Sequence, residues 1–318
     1  MPAEPALTVS ILSYDGRELL EVVLPSLAAQ RFTDFRAVVV DNGSSDDTVD
    51  WLREHWPDVE VVALPENVGV TAALNVCVDA GTSEFVALLN NDLELHPDCL
   101  GELLAALREH PRAGSAGAKL LDFHDRGVID GAGDTFSWHG LPARRGRGER
   151  DSGQYDEPRR VFGACGAVAV YRRAALTSVG RFDESFFAFY EDSDWSFRAQ
   201  LLGYDCLYVP SAVAYHMGSV TVGAAATDFS RYHLWRNGIW LVAKNYPARA
   251  LVLQAPRLAL AQVSHLRDAV RERRLGIWRR ATADAIRGMP DVLRRRRAVQ
   301  RSRTRSMREL DAIVGVDP

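Results

Sequence analysis

Strand and helix signals alternate through the first 110 residues, and that order leaves few folds open. Leu7–Leu12 and Arg36–Val40 read as short apolar strands, and between them Leu19, Leu20, Val23, Leu24 and Leu27 recur at helical spacing over Arg17–Ala29. Val59–Leu64 is a third strand, and Val70–Ala80 is a helix that Gly81 closes. Phe85–Leu89 and Pro97–Glu109 add a fourth strand and another helix. A βαβαβαβ order implies a mostly parallel sheet with helices on both faces, an α/β fold. A chain of 318 residues suits one large domain, or one domain with an appendage.

In such a sheet the strands share a direction, so their C-terminal ends converge on one edge, where ligands of open α/β sheets bind. Phe85-Val86-Ala87-Leu88-Leu89 runs directly into Asn90-Asn91-Asp92, a buried strand that ends in groups able to hold a hard cation. Ser13-Tyr14-Asp15 and Asp41-Asn42 end the first two strands in the same way. Asp and Asn also start turns, so each end taken singly fits a turn as well as a site. The polar run Asp41 to Thr48 is a loop in which Ser45 or Asp46 can cap the next helix. Gly69, within Asn67-Val68-Gly69-Val70-Thr71-Ala72-Ala73-Leu74-Asn75, marks a strand-to-helix junction that either caps a helix or offers backbone N–H groups to a phosphate.

The middle of the chain is less regular. Ala113–Leu121 and Val128–Trp138 suggest strands, and the polar, Arg-rich stretch Pro142–Arg160 reads as a mobile loop. Val161–Tyr171 returns to the core through the small residues Gly163, Ala164 and Gly166. Asp192–Leu202 is a helix, and Asp205–Val209 and Ala212–Tyr215 are short strands. In Phe186-Phe187-Ala188-Phe189-Tyr190-Glu191-Asp192-Ser193-Asp194-Trp195, Asp192 is placed to cap that helix, with Asp194 in the first turn. A carboxylate fixed this way can also act as a general base beside aromatic rings. His216 ends the last short strand, either as a structural residue or as a further ligand of an Asp-based metal site.

Charge divides the chain. Residues 249–318 carry 17 Lys+Arg against 7 Asp+Glu, while the whole chain carries 38 against 42. From Phe229 onward the pattern is helical, and Leu251, Leu253, Leu258, Leu260, Val263 and Leu266 form stripes among arginines that include Arg294 to Arg297. A basic amphipathic helix suits an anionic membrane surface. A solvated basic helix or a homodimer contact would use the same pattern. Nucleic acid is not the expected partner, because the arginines lack aromatic interleaving. The expected division is residues 1–228 for the α/β domain and 229–318 for a helical, Arg-rich extension. The four cysteines, Cys77, Cys99, Cys165 and Cys206, have no metal-finger spacing and fit a reducing cytoplasm. Neither a signal peptide nor a membrane-spanning helix is expected.

Taken in order, Ser10-Ile11-Leu12-Ser13-Tyr14-Asp15-Gly16, Val39 to Asp46, Asn67 to Asn75, Leu89-Asn90-Asn91-Asp92, Gly163-Ala164, Glu191-Asp192-Ser193-Asp194-Trp195 and His216 resemble the motifs of the family 2 glycosyltransferases. These are inverting enzymes with the GT-A fold. The likeness spans Thr8 to Thr221 and points toward the rhamnosyltransferase and galactofuranosyltransferase branch, which builds bacterial surface polysaccharide. It implies a Rossmann-like GT-A domain, and a divalent metal, Mg²⁺ or Mn²⁺. It implies a dTDP-, UDP- or GDP-linked sugar donor and a glycan or lipid-linked acceptor at the inner face of the cell membrane.

By the same resemblance, Asp192 is the base and Glu191 its neighbour in the motif. Ser13, Tyr14, Asp15, Asp41, Asn67, Gly69, Asn75 and Asn91 are expected around the nucleotide-sugar. Gly163, Ala164, Asp194 and Trp195 are expected around the acceptor. Asp92, His216 and Asn90 are expected at the metal. Asn90 departs from the family pattern, which often has Asp there. Its amide oxygen is a neutral, weaker ligand, so the cation would lean on Asp92, His216 and the diphosphate. A sugar nucleotidylyltransferase would carry a Gly-rich, basic loop after the first strand, and Ser13-Tyr14-Asp15-Gly16-Arg17 has one glycine. A non-catalytic carbohydrate-binding or scaffold protein would keep the fold and lose Asp92 or Asp192, and both are present.

Overall fold

A computed structural model of the chain describes residues 4–218 and 227–314. The resemblance motif that begins at His216 extends through Ser219, Val220 and Thr221, which lie outside the described residues. The first strands and helices form as the alternation predicts: β1 Leu7–Ser13, α1 Arg17–Ala28, β2 Phe35–Asp41, α2 Thr48–His55, β3 Glu60–Ala63, α3 Val70–Asp79, β4 Phe85–Asn90, β5 Leu93–Leu95 and α4 Cys99–Glu109. There follow β6 Ala113–Asp122, β7 Ile129–Gly131, β8 Asp134–Ser137, β9 Leu141–Arg144, β10 Arg159–Val161, β11 Val168–Arg172, α5 Arg173–Val179, α6 Glu191–Leu202 and β12 Asp205–His216. The chain closes with α7 Asp228–Asn245, α8 Ala248–Arg271, α9 Leu275–Ser302 and α10 Met307–Asp311.

The main sheet runs in the order β10-β12-β6-β11-β4-β1-β2-β3. β1 pairs in parallel with both β2 and β4, and β2 pairs in parallel with β3. β11 is antiparallel to β4 and to β6, and β12 is again parallel to β6. Strand residues alternate between two cores. Ala87 and Leu89 of β4 join Val9 and Ile11 of β1 against the apolar stripes of α1 and α4. Val86 and Leu88 point the other way, toward Cys77 and Val78 of α3 and Trp195 of α6. Each fully buried Leu or Val contributes about 1.5–3 kcal/mol of transfer free energy. The polar residues in the middle of β1 are satisfied: Thr8 Oγ1 donates to Ser83 Oγ (2.9 Å), and Ser10 Oγ to the carbonyl of Cys77 (2.9 Å).

The structure corrects several sequence expectations. The two short strands expected at 205–215 are one strand, β12, with an irregularity between Val209 and Val213. Pro142–Arg160 is an ordered segment. β9 pairs with β8, Lys119 holds Asp151 (2.6 Å) and Asp156 (2.7 Å), and the Arg145 guanidinium lies 4.4 Å from the Tyr155 ring centroid. Its charges, which suggested solvation, are spent on ion pairs and on a cation–π contact. Asp192 is not a cap: α6 starts one residue earlier, with Tyr190 as N-cap in the left-handed region (φ +70°). At α2 the N-cap is Asp47 rather than Ser45 or Asp46, although Asp46 Oδ1 does accept from Thr48 N (3.1 Å) at the first helical residue.

The C-terminal helices share a core with the sheet domain. Trp240, Leu241 and Tyr246 of the α7 region and Ala285 and Val292 of α9 pack with Phe136, Trp138, Phe162 and Phe197. Tyr246, Phe136 and Phe197 meet as an aromatic cluster with centroid separations of 5.3–6.2 Å. Among the described residues no helix is long and apolar enough to cross a membrane.

Candidate active site

The loops at the C-terminal edge of β1–β4 are tied together by their own polar side chains. Asp41 is buried, and its Oδ2 accepts from Ser44 N (3.0 Å) while Ser44 Oγ bonds Oδ1. Asp15 Oδ1 accepts from Ser45 N (2.7 Å), joining the β1 and β2 loops. Asn42 donates to Asn67 Oδ1 (3.2 Å) and accepts from Val68 N (3.0 Å), joining the β2 and β3 loops. Asn91 Nδ2 donates to Ser13 Oγ (3.1 Å), joining β4 to β1. Six of the eight residues expected at the nucleotide-sugar (Ser13, Asp15, Asp41, Asn67, Gly69 and Asn91) therefore belong to this edge, with Tyr14 between two of them. Asn75 does not. It is buried in α3, where it accepts from Phe182 N (3.0 Å) and donates to the Phe182 carbonyl (3.0 Å), bracing a neighbouring loop.

Asp92 and His216 do come together. His216 Nε2 stands 3.4 Å from Asp92 Oδ1, and that oxygen has no hydrogen-bond partner among the described residues. The other ring nitrogen, Nδ1, lies 2.8 Å from Asp130 Oδ2, which Arg144 also holds. Burial would lower the His216 pKa, but the two carboxylates push it up to about 9. Asp130 is kept below the usual carboxylate range despite its burial, by His216 and Arg144. Between the two carboxylates the ring favours its doubly protonated form, and a cation bound at Nε2 would have to displace that proton, leaving Nδ1–H on Asp130 to fix the ring. Nε2 and the Asp92 oxygen are then two candidate ligands 3.4 Å apart, with Asn90 at the end of β4 two residues before Asp92. Among the described residues no three His, Cys, Asp or Glu side chains form a ready metal cage. A divalent cation fits this pair only if a ligand such as a diphosphate completes its shell.

The segment leading into Asp192 is strained and clamped. Phe187, Phe189 and Tyr190 all have positive φ (64°, 65° and 70°), a conformation that bulky residues adopt only when their surroundings enforce it. Asn237 of α7, fully buried, donates from Nδ2 to the carbonyls of Phe186 (3.0 Å), Ala188 (2.8 Å) and Phe189 (2.8 Å). Across the segment, Phe187 O accepts from Thr71 N (3.0 Å), and a Cβ on Gly69 would lie 2.5 Å from the Phe187 ring. Asp192 leaves this clamp with Oδ1 bonded to Ser193 N (2.6 Å). Its Oδ2 faces Gly166, where a Cβ would approach to 3.1 Å. Burial raises the pKa of Asp192 and of Glu191, and Asp192 adds repulsion at Glu191.

Sequence reasoning missed Asp130, Asp134, Arg144, Gly166 and Asn237. Asp134 Oδ1 is enclosed with no hydrogen-bond partner among the described residues, and burial together with the nearby Asp192 charge pushes its pKa up to about 8. Arg144 lies within electrostatic reach of Asp130, Asp134 and Asp192, so it links the His216–Asp130 pair to Asp192. A signal existed: Asp130 and Asp134, two carboxylates of like parity, are the only charged residues in the strand-like stretch Val128–Trp138. The four residues expected at the acceptor are corrected. Asp194 and Trp195 are fully buried, Asp194 among Lys244 (2.9 Å), Arg198 (2.9 Å) and Asn245 (2.8 Å), and Trp195 donating to the Gly180 carbonyl (3.0 Å). Ala164 is buried against Gly117, and Gly163 packs on Ser196, so neither offers side-chain surface to a ligand.

The comparisons agree with this geometry. The model of the family "Glycosyl transferase family 2" matches residues 8–180. An N-acetylglucosaminyl-diphospho-decaprenol L-rhamnosyltransferase of Mycobacterium tuberculosis is 28% identical over 250 residues, 71% of this chain and 81% of that protein. Among solved structures, Staphylococcus aureus TarS 1-349 in complex with UDP-GlcNAc superposes with a TM-score of 0.59 at 20% identity, covering 92% of this chain and 88% of that one. The mannosyltransferase PcManGT of Pyrobaculum calidifontis, in complex with GDP-Man and Mn2+, gives 0.56 at 18% identity over 95% and 86%. At such identities the structures establish a shared fold, and the family match, which spans more than half of the chain, establishes descent. The chain belongs to the family 2 glycosyltransferases.

Proposed function

We propose that this glycosyltransferase moves a sugar from a nucleoside diphosphate donor to a hydroxyl of a lipid-linked acceptor, with inversion, and that Asp192 is its general base. The observation that carries the reading is the placement of Asp192: Ser193 N occupies its Oδ1, while its Oδ2 has no hydrogen-bond partner among the described residues, faces Gly166, and lies within electrostatic reach of Arg144, which also pairs with Asp130 beside His216. A carboxylate whose pKa burial has raised is a better proton acceptor than an ordinary one. The tied loops around Asp41, Asn67 and Gly69 would take the nucleotide and its phosphates. Asp92 and His216, with the Asn90 amide, would hold Mg²⁺ or Mn²⁺. That cation, when bound, neutralises charge on the departing diphosphate.

Rhamnose is the sugar we favour, and an N-acetylglucosaminyl-diphospho-polyprenol the acceptor, because the Mycobacterium relative carries that name over most of its length. Such an acceptor would place the enzyme at the cytoplasmic face of the cell membrane. The test is thermal unfolding with UDP-, GDP- and dTDP-sugars, each with Mn²⁺ or with a chelator. One nucleotide class should protect in a metal-dependent way, by about 2.7 kcal/mol at a hundredfold excess over its Kd. Protection by none of the donors, with no nucleotide released in the presence of acceptor lipid, would sink the proposal.

A further inference from the structure

The outward face of α8 is apolar and uncovered. Val252 is 75% exposed, Leu253 60%, Leu260 67%, Val263 45% and Val270 60%. With Pro256 they fall on one side of the helix, within a sector of about 100°, and so form one stripe along five turns. The fully exposed charged residues of α8 are all arginines: Arg249, Arg257, Arg267 and Arg271. A solvated helix would not show a stripe of this kind.

Arg249 stands one turn before Val252 and Leu253 on that stripe. It also borders a cleft of about 490 Å³ whose other cationic walls are Arg296, Arg297 and Arg303. Among the described residues no acidic side chain lines this cleft. Arg296 is positioned by a bond to the Ala243 carbonyl (2.8 Å), and the other three arginines have no hydrogen-bond or ion-pair partner among the described residues. Four like charges gathered without a counterion are repulsive unless an anion joins them. The N-terminus of α8, at Ala248, adds the positive end of a 24-residue helix. The cleft thus presents phosphate-binding chemistry continuous with an apolar face.

We propose that the arginine cleft and the α8 stripe form one docking surface for an anionic phospholipid bilayer. The arginines take the headgroup phosphates, and the stripe lies in the boundary between headgroups and acyl chains. The proposal deepens the lipid-linked acceptor reading, but its test involves no sugar transfer, so either can fail alone.

The experiment is flotation of the full chain with vesicles of phosphatidylcholine alone and of phosphatidylcholine containing phosphatidylglycerol. Partitioning onto the anionic vesicles should be stronger by about tenfold or more, and should weaken in about 0.5 M salt. R297E/R303E should remove about tenfold or more of that binding, and L253E/L260E should remove binding as well, each with an unchanged melting temperature. R303A serves as a milder probe if the double reversals fold poorly. Equal binding to neutral and anionic vesicles, no binding, or full binding by the variants would overturn the docking surface. So would inorganic phosphate raising the melting temperature through Arg297 and Arg303 while vesicles are ignored, since the cleft would then serve a soluble anion.

Discussion

At the scale of single residues, His216 illustrates how a partner decides a role. The ring alone is ambiguous, and Asp130 on one nitrogen leaves the other aimed at Asp92. Asp130→Asn keeps the shape and weakens the hydrogen bond that orients the ring. Manganese affinity measured by calorimetry should fall about 10- to 100-fold; an unchanged affinity would remove His216 from the ligand set. The placement of Asp92, Asp192 and His216 at the ends of elements was legible in the sequence because each lies within a short motif. Asp130 was not, because the residue that gives it meaning lies 86 positions further along. Asp194 and Trp195 were misread for the opposite reason. They sit in the same motif as Asp192, but the helical period turns them into the core.

Among the elements, α7 carries two kinds of support for the segment leading into Asp192. The first is Asn237, whose three bonds hold carbonyls in a backbone stretch with positive φ. Asn237→Ala should lose about 1–3 kcal/mol in urea unfolding. It should also lower kcat more than it raises donor KM, because the loosened residues lead into Asp192; a loss of stability with kcat intact would leave Asn237 a purely structural brace. The second is Lys244, which bridges Asp183 (2.6 Å) and Asp194 (2.9 Å). Burial would raise the Asp194 pKa, but Lys244 and Arg198 hold it at about 2, below its ordinary value of 3.8. A carboxyl with a depressed pKa stabilises the fold fully above pH 3.8 and loses that contribution as pH falls through 2. About 2 kcal/mol should disappear over that window. Urea midpoints taken from pH 5 down to pH 2 should therefore fall less steeply in Asp194→Asn than in the parent; parallel slopes would contradict the ion-pair account. The elements β1–β4 could be read from the sequence because their patterns are local. The ordering of residues 142–160 could not, because it depends on Lys119, Tyr208 and other distant partners.

For the whole molecule, one sheet edge and one helical layer meet at the base. The edge gathers the loops expected to hold the nucleotide, while α7 and α9 share a core with Phe136, Phe162 and Phe197 and reach back to the 183–190 segment. The charge asymmetry of the sequence thus corresponds to a layer that faces inward to the 183–190 segment and outward through α8. The central claim, that Asp192 takes the acceptor proton at this junction, is tested most directly by Asp192→Asn. The amide keeps the shape and cannot accept a proton, so turnover measured by nucleotide release with acceptor should fall about 10²- to 10⁴-fold, while donor affinity measured by thermal protection stays unchanged. Turnover near that of the parent enzyme would contradict the account.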